Sequence, residues 1–477
     1  ATNVSPVLDK DIFLPLNKEY KKIVGKYYSP FKVTKLLKEL DSLIANNDLQ
    51  FIQHSVNEII DPSGIELKIN VFEGDKLSVE RINVKGNSVT NESVIRSELN
   101  IDEGDPFNNL KLDQSVGKLK ARNLFSSVKT KVSEGSSKDL KIVDIIVEEK
   151  PTGEISAGAG VGTSGGSFSF NIRENNWLGR GLAVSSFIDV SSESLKGSVQ
   201  LTDPDYRFSG NEVTYHVSSA KNDKPDSGYE NSVLSTGIGT SFEQYRDIYV
   251  SPSLNLTYDE MTVQSSASSN LKKQAGSFTD LAFNYGLTSD KRNNRFMPTD
   301  GYVSSFNQEF PVYADSGYIK NAYRFSKYNS FGPNIVGAFK INVAAINSLG
   351  DEDIRLSKRL KVNSRSLRGF KAGKVGPKDG KEYVGGNYSS VANLETNLPN
   401  FFPESTNIDL GLFLDVGNLW GVDYDSSIDN SNNIRSTVGT NLNWTSPMGP
   451  MSFVLSQNLQ KASTDVTETF NFRLGTT

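Results

Sequence analysis

The chain has no cysteine and only two histidines, His54 and His216, which lie far apart. Thiolate metal sites and cysteine nucleophiles are therefore excluded, and a catalytic histidine has little support. Charge of one sign is also scarce. The net charge is −5 over 477 residues, so no broad basic field exists to hold nucleic acid. Long hydrophobic runs are missing. The apolar stretches, such as Val343-Ala344-Ala345-Ile346, are far too short for a transmembrane helix. No charged-then-apolar signal segment opens the chain. Glycine and aromatics, by contrast, are plentiful, with 39 Gly, 18 Tyr and 26 Phe.

Two similar units precede residue 150. In the second, Val79–Val84 alternates like a strand, Gly86-Asn87 breaks it, and residues 90–99 read as a helix. Leu112, Val116 and Leu119 then recur at helical spacing. Two strand patterns follow, Ser127–Ser133 and Leu140–Glu148, so the predicted order is β-α-α-β-β. The first unit repeats the later part, with a helix over Phe31–Asn46, a strand over Phe51–Ile59, a turn at Asp61-Pro62-Ser63-Gly64 and a strand over Ile65–Phe72. Its opening strand is unclear in residues 1–20. Both units, 1–78 and 79–150, resemble POTRA domains, the α+β periplasmic modules of outer-membrane assembly proteins. A small sheet of this kind binds an extended peptide when the peptide joins its edge as a strand; the alternative is a plain spacer. His54 falls on a strand of the first unit and reads as structural.

After Pro151 the pattern changes to short strands with turns between them. Phe168/Phe170/Ile172, Val213/Tyr215/Val217, Leu254/Leu256/Tyr258, Leu281/Phe283/Tyr285/Leu287 and Phe339/Ile341/Val343 are apolar on alternate positions. Their intervening partners are mostly Ser, Thr, Asn, Gly and Lys, too polar for a dry core. That is the alternation of a transmembrane barrel with lipid outside and water inside, whose mean hydropathy hides its apolar face. A soluble sandwich also alternates. About sixteen strands are countable over 151–477, an even number as in bacterial barrels. Tight turns recur at Asn176-Trp177-Leu178-Gly179, Asp203-Pro204-Asp205, Met297-Pro298-Thr299-Asp300-Gly301, Phe331-Gly332-Pro333-Asn334, Asn400-Phe401-Phe402-Pro403 and Ser446-Pro447-Met448-Gly449-Pro450. Trp177, Phe296, Phe401, Phe402 and Trp444 cluster at these turns and suit an interfacial aromatic girdle.

A polar loop over about residues 347–385 interrupts the strands and carries Arg368-Gly369-Phe370. Loops of this length inside a compact fold are usually functional or disordered. Downstream, Ala392, Leu394, Thr396 and Leu398 share one strand face, which puts Glu395 on the other with Asn393 and Asn397. Leu410, Leu412, Leu414 and Val416 likewise leave Asp415 inward with Gly411, Phe413 and Gly417.

These motifs, in this order, with Phe413-Leu414-Asp415-Val416-Gly417, resemble the BamA family of outer-membrane barrel assembly factors over nearly the whole length. The resemblance implies POTRA domains followed by an all-β 16-stranded transmembrane barrel, in the outer membrane of a Gram-negative bacterium with the POTRA units in the periplasm. It implies that the Arg-Gly-Phe loop folds back into the barrel lumen, where Arg368, Gly369 and Phe370 meet Glu395 and Asp415 in an ion-pair clamp; a guanidinium fork matches carboxylate oxygens well. It implies unfolded outer-membrane proteins, accessory lipoproteins and outer-membrane lipid as partners, with the lipoproteins docking near residues 79–150. The family usually carries five POTRA units, of which two are visible, as in a truncated chain, and its usual final aromatic is not found at Thr477. Leu367 stands where Val is common before the loop Arg.

Several other signals carry no function. Gly160-Val161-Gly162-Thr163-Ser164-Gly165 fits the dinucleotide pattern literally but leads into a strand instead of a helix. Asp423, Asp425 and Asp429 lack the Gly and Glu of a calcium loop and read as a solvated loop. No cofactor, metal site or catalytic residue is expected. The sequence therefore points to a non-enzymatic insertase. Its first barrel strand, about Gly153–Gly162, is expected to meet the last, about Val466–Gly475, along a weak lateral seam formed by Gly158, Gly160, Gly162, Phe470, Phe472 and Leu474. The alternatives are a two-partner secretion pore, a TamA-like translocation and assembly factor, and a plain porin.

Overall fold

The computed structural model describes residues 2–4, 10–25, 30–46, 51–61, 64–73, 77–163, 165–245, 247–295, 298–332, 335–398, 407–446 and 449–475. The turn residues Pro62, Ser63, Met297, Pro333, Asn334, Pro447 and Met448, the turn 400–403, and the girdle aromatics Phe296, Phe401 and Phe402 lie outside them. Two compact units emerge: residues 1–152 with 175–181, and residues 153–174 with 182–477.

In the first unit, the strand Ser78–Lys85 pairs in parallel with Leu140–Glu149, which pairs antiparallel with Phe125–Glu134. The sheet order leaves Ser78–Lys85 and Phe125–Glu134 as its edges. The helix Asn109–Ala121 starts where the Asn108 side chain accepts the Leu110 and Lys111 N–H groups at 2.8 and 3.3 Å, satisfying donors that no helical turn can pair. Leu112 and Leu119 from this helix, with Ile95, pack on Val79, Ile82, Val143 and Ile145. The helix expected over 90–99 is confined to Glu92–Arg96, because the Ser97 hydroxyl turns back to the Val94 carbonyl at 3.0 Å and competes with helix propagation.

Residues 2–73 form a separate three-stranded sheet. Thr2–Val4 runs parallel to Gly64–Glu73, which pairs antiparallel with Ile52–Asp61. Thr2–Val4 is the opening strand that the sequence leaves unclear. Leu36, Leu40 and Ile44 of the helix Pro30–Asn46 pack with Phe13, Leu16, Ile69 and Val71. His54 Nε2 lies 2.7 Å from the Asp41 carboxylate.

The carboxylate of Glu149 organises the loop 86–91. It accepts the N–H groups of Ser88 at 3.0 Å, Val89 at 2.9 Å and Thr90 at 2.6 Å, and the Ser88 hydroxyl at 2.7 Å. That loop in turn receives the segment 175–181: Asn176 donates to the Thr90 hydroxyl at 2.8 Å, and the Asn91 N–H donates to the Gly179 carbonyl at 2.8 Å. Burial raises the Glu149 pKa, but the hydrogen bonds from Ser88, Thr90 and Val89 outweigh it and hold the carboxyl at about 2. The stabilisation is thus present above the ordinary carboxylate value of 4.5 and is lost as pH falls towards about 2. Glu149→Gln should remove this pH dependence, cost on the order of 1 kcal/mol after solvent screening, and release the amides of Ser88–Thr90 to faster hydrogen exchange at neutral pH. Unchanged exchange there would show that the carboxylate does not hold the loop.

In the second unit, among the described residues, sixteen antiparallel strands from Gly153–Gly162 to Phe470–Leu474 close into a barrel. Only a closed sheet or a helix satisfies every backbone group in lipid. The predicted outer face is exposed along the strands, as Phe168, Tyr215, Val217, Leu256, Val343, Leu394 and Leu412 all show. Strand alternation places the connections that follow the strands Ser194–Asp203 and Gly276–Asp290 at one rim and the long connections 349–387, 421–434 and 461–469 at the other.

The closure differs from the sequence expectation. Among the described residues only two pairs cross it, Gly162 with Arg473 and Val161 with Leu474, whereas ten pairs join Gly153–Gly162 to its other neighbour Gly165–Trp177. The last strand is Phe470–Leu474, not 466–475. Residues 466–468 leave the wall because their backbone is taken by the long loop. The Lys371 N–H donates to Val466 at 2.9 Å, the Val466 N–H to Lys374 at 3.1 Å and the Glu468 N–H to Gly369 at 2.9 Å.

Candidate functional site

Residues 349–387 join the strands Ile335–Ser348 and Tyr388–Asn397. This loop is packed, not solvated. Ile354, Leu360, Leu367, Phe370 and Val375 form one apolar cluster with the inward wall residues Ile346, Val391 and Leu419. Leu356 and Val384 form another with Tyr229, Met261 and Leu271. Part of the lumen, expected to be wet throughout, is therefore a second hydrophobic core.

The polar residues of the loop are tied to the wall at several points. Arg355, almost fully buried, pairs with Asp280, and its guanidinium lies 4.6 Å from the centre of the Phe278 ring. Lys358 approaches Asp280 at 3.2 Å, and the Ser357 hydroxyl donates to Asp259 at 2.7 Å. Arg359 lies 3.1 Å from Asp423, which also accepts the Asn387 amide and the Ile354 N–H. Asp423 is thus an ion-pair and hydrogen-bond partner of the long loop while remaining exposed in the connection 421–434; Asp425 and Asp429 instead cap local turns through the N–H groups of Ser427 and Gly421.

Arg368 makes the densest of these attachments. Its Nε donates to Asp415 Oδ2 at 2.8 Å and its Nη2 to Asp415 Oδ1 at 2.6 Å, while Nη2 also donates to Glu395 Oε1 at 2.8 Å. The Arg368 backbone N–H reaches the same Asp415 Oδ2 at 3.0 Å. The guanidinium carbon lies 3.7 Å from the centre of the Phe413 ring, a cation–π contact in a desolvated setting. Asp415 is fully buried and takes a further bond from the Asn393 amide at 2.7 Å. Lys340 completes the cluster, donating to Glu395 Oε2 at 2.6 Å. Two cations thus face two carboxylates, with the lone pairs of Asp415 largely committed. Gly369 has φ +83, and a Cβ there would stand 2.7 Å from Thr437 Cγ2, so both the backbone and the space require glycine. Phe370 is buried and bridges to Thr467.

The predicted seam residues are distributed differently from the expected set. Gly162 faces Arg473 and Leu474 faces Val161 across the closure. Gly158 and Gly160 pair only with Ser169 and Ser167 on the far side of their strand, and Phe470 and Phe472 pair with Leu455 and Phe453, although the Phe472 carbonyl also accepts the Thr163 N–H across the closure at 3.1 Å. Gly160 does lie close to the last strand, since a Cβ on Gly475 would stand 2.9 Å from its Cα. The sequence reading missed Arg355, Arg359, Asp259, Asp280 and Lys340 as loop and wall partners. The available signal was cost: charged residues on strands at membrane depth are expensive and rarely idle.

Arg368→Ala should leave Asp415 buried with only amide partners. Breaking a buried pair from one side typically costs about 3–5 kcal/mol. Protease cutting within 349–387 should rise and the denaturation midpoint should fall. If both stay at the wild-type value, the Arg368 clamp does not hold the loop.

The fold and site define a transmembrane β-barrel with a plugged lumen and an attached POTRA region. The Omp85 superfamily domain matches residues 176–477, and the POTRA family, described as surface antigen variable number repeat, matches residues 77–150. The chain belongs to the Omp85 superfamily. It is 25% identical over 418 residues to the outer membrane protein assembly factor BamA of Neorickettsia risticii, covering 86% of this chain and 56% of that protein. It is 23% identical over 522 residues to BamA of Neisseria meningitidis, covering 95% and 63%. The chain therefore spans between half and two thirds of the length of these relatives. The crystal structure of BamA from Haemophilus ducreyi lacking POTRA domains 1-3 superposes with a TM-score of 0.79 over 98% of both chains at 20% identity, a likeness of fold. The protein is thus an outer-membrane barrel with a periplasmic POTRA domain.

Proposed function

We propose that this protein assembles other β-barrels into the outer membrane by lending them the edge of its own seam. The observation that carries the reading is the closure itself, in which two strand pairs join the first and last strands while ten hold the first strand to its other neighbour. Opening the closure breaks fewer strand pairs than parting any other neighbouring strands of the barrel among the described residues, two against at least five. An unpaired strand edge in lipid is then expensive and readily templates another strand. A client strand added there crosses the bilayer with its backbone satisfied, and the work comes from the client's own folding energy. No nucleotide is needed, and the reading is non-enzymatic.

Within this reading, the clamp on Arg368 keeps the long loop seated against the twelfth and thirteenth strands, which carry Glu395 and Asp415, so that this part of the wall stays rigid while the seam parts. Unfolded outer-membrane proteins are the clients, outer-membrane lipid is the destination, and accessory lipoproteins dock on the POTRA unit around 79–150. The curated relatives are named as assembly factors, which favours this reading over a secretion pore.

The chain is free of cysteine, so a single engineered pair gives a clean test. Val161→Cys with Leu474→Cys places two thiols opposite one another across the closure. Oxidation should stop barrel assembly in a reconstituted vesicle assay, and reduction should restore it. Assembly at an unchanged rate with the disulfide fully formed would sink the seam mechanism.

A further inference from the structure

A further buried ion pair lies apart from the Arg368 cluster. Arg435 opens the strand Arg435–Ser446, and Asp465 sits in the connection just before the last strand. Arg435 Nε donates to Asp465 Oδ2 at 2.9 Å and Nη2 to Oδ1 at 2.9 Å, with both side chains fully buried. The other Arg435 donors are used as well: Nη1 reaches Asn418 Oδ1 and the Asn433 carbonyl, and Nη2 reaches Asn430 Oδ1 at 3.0 Å. Asp465 also accepts the Ala462 N–H at 2.7 Å and the Gly376 N–H of the long loop at 3.3 Å. From this anchor the chain runs through 466–468, bonded to the long loop, and enters the last strand.

At the closure itself, besides the two strand pairs, the Asn471 amide donates to the Thr163 hydroxyl at 2.6 Å and the Thr163 N–H to the Phe472 carbonyl at 3.1 Å; all of these contacts sit at the end of the first strand. On the first strand, residues 156–162 read Ser-Ala-Gly-Ala-Gly-Val-Gly, and glycine-rich strands specify register weakly and tend to slip. A slip of two residues keeps Phe470, Phe472 and Leu474 on the lipid face, so the hydrophobic pattern does not oppose it. Five pairs with Met451–Leu455 hold the last strand from its other side, but a two-stranded arm so short is marginal by itself. A two-residue slip moves the strand by roughly 7 Å. Asp465 lies eight residues ahead of Arg473 (465 to 473), and its bidentate bonds do not survive a displacement of that size.

We infer that Arg435 and Asp465 are positioning residues for the seam: their ion pair fixes the axial level of the last strand, so the closure forms with Gly162 opposite Arg473. This inference rests on the seam reading above and adds what sets the register of that same closure. It also places the long loop in the device, because the loop supplies both the Gly376 N–H to Asp465 and the backbone that holds 466–468.

The test uses cysteine cross-linking in the full chain reconstituted in lipid vesicles, without any client. The pair Val161→Cys/Leu474→Cys reports the observed register, whereas Ala159→Cys/Leu474→Cys and Thr163→Cys/Leu474→Cys report slips of two residues either way. With Arg435 and Asp465 intact, the first pair should cross-link and the other two should remain near background. In an Arg435→Met/Asp465→Leu background, which exchanges the pair for apolar side chains of similar size and is expected to fold, the slipped pairs should rise about tenfold. Asp465→Asn, which keeps the acceptor but removes the charge, serves as the second variant and should show the same rise if the double variant fails to fold. A folded variant of either kind that still cross-links only at 161/474 would overturn the assignment. The result is separable from the seam mechanism: if the 161/474 lock leaves client assembly intact, that mechanism falls, while the register measurement stands on its own.

Discussion

Every peptide group placed in lipid has to find a partner within the protein, because no water is available to take its place. The second unit satisfies this demand by closing sixteen strands on themselves. Closure removes the edges everywhere but at the junction of the first and last strands, and with them the usual hazard of unpaired strands. The one place where the demand is met sparingly is the junction of the first and last strands. The rest of the barrel can be read as a frame that tolerates that single weak line.

The frame is stiffened from within. A loop of some forty residues would normally lose much entropy on ordering, yet here it carries its own apolar cluster and three buried arginines, Arg355, Arg359 and Arg368. Each faces a carboxylate on or beside the wall. Burying ions is costly unless they are paired and further hydrogen-bonded, so these attachments contribute less to net stability than to a unique placement. Arg368 shows this most clearly. Its partner Asp415 is also bonded by Asn393 and by the Arg368 backbone N–H, which leaves the loop little freedom to sit elsewhere. The same loop then reaches round to residues 465–468, so loop placement and the last strand are mechanically joined.

Much of this was legible in the chain. Alternation with Ser, Thr and Asn opposite Leu, Val and Phe identifies strands that face lipid on one side, and parity alone directs Glu395 and Asp415 inward. The order of helices and strands over 78–149 follows from helical spacing at Leu112, Val116 and Leu119 and from turns at Gly86 and Gly135. Three features were less accessible. Asp423 sits in a polar stretch that looks solvated, and only the approach of Arg359 from another part of the chain gives it a role. Ile346, Val391 and Leu419 point inward, where parity predicts water, because a distant loop covers them. The last strand is cut short because residues 466–468 have partners that local propensity does not contain.

What the sequence determined by itself is the class of structure and the face on which each side chain lies, since a period of two and a lack of long apolar runs are local properties that survive any rearrangement of the barrel. What only the tertiary structure decided is which inward charges meet and how far the closing strands overlap. Those depend on a loop returning through the lumen to residues tens of positions away, and on glycine-rich backbone whose small side chains leave register to be fixed by bonds made elsewhere.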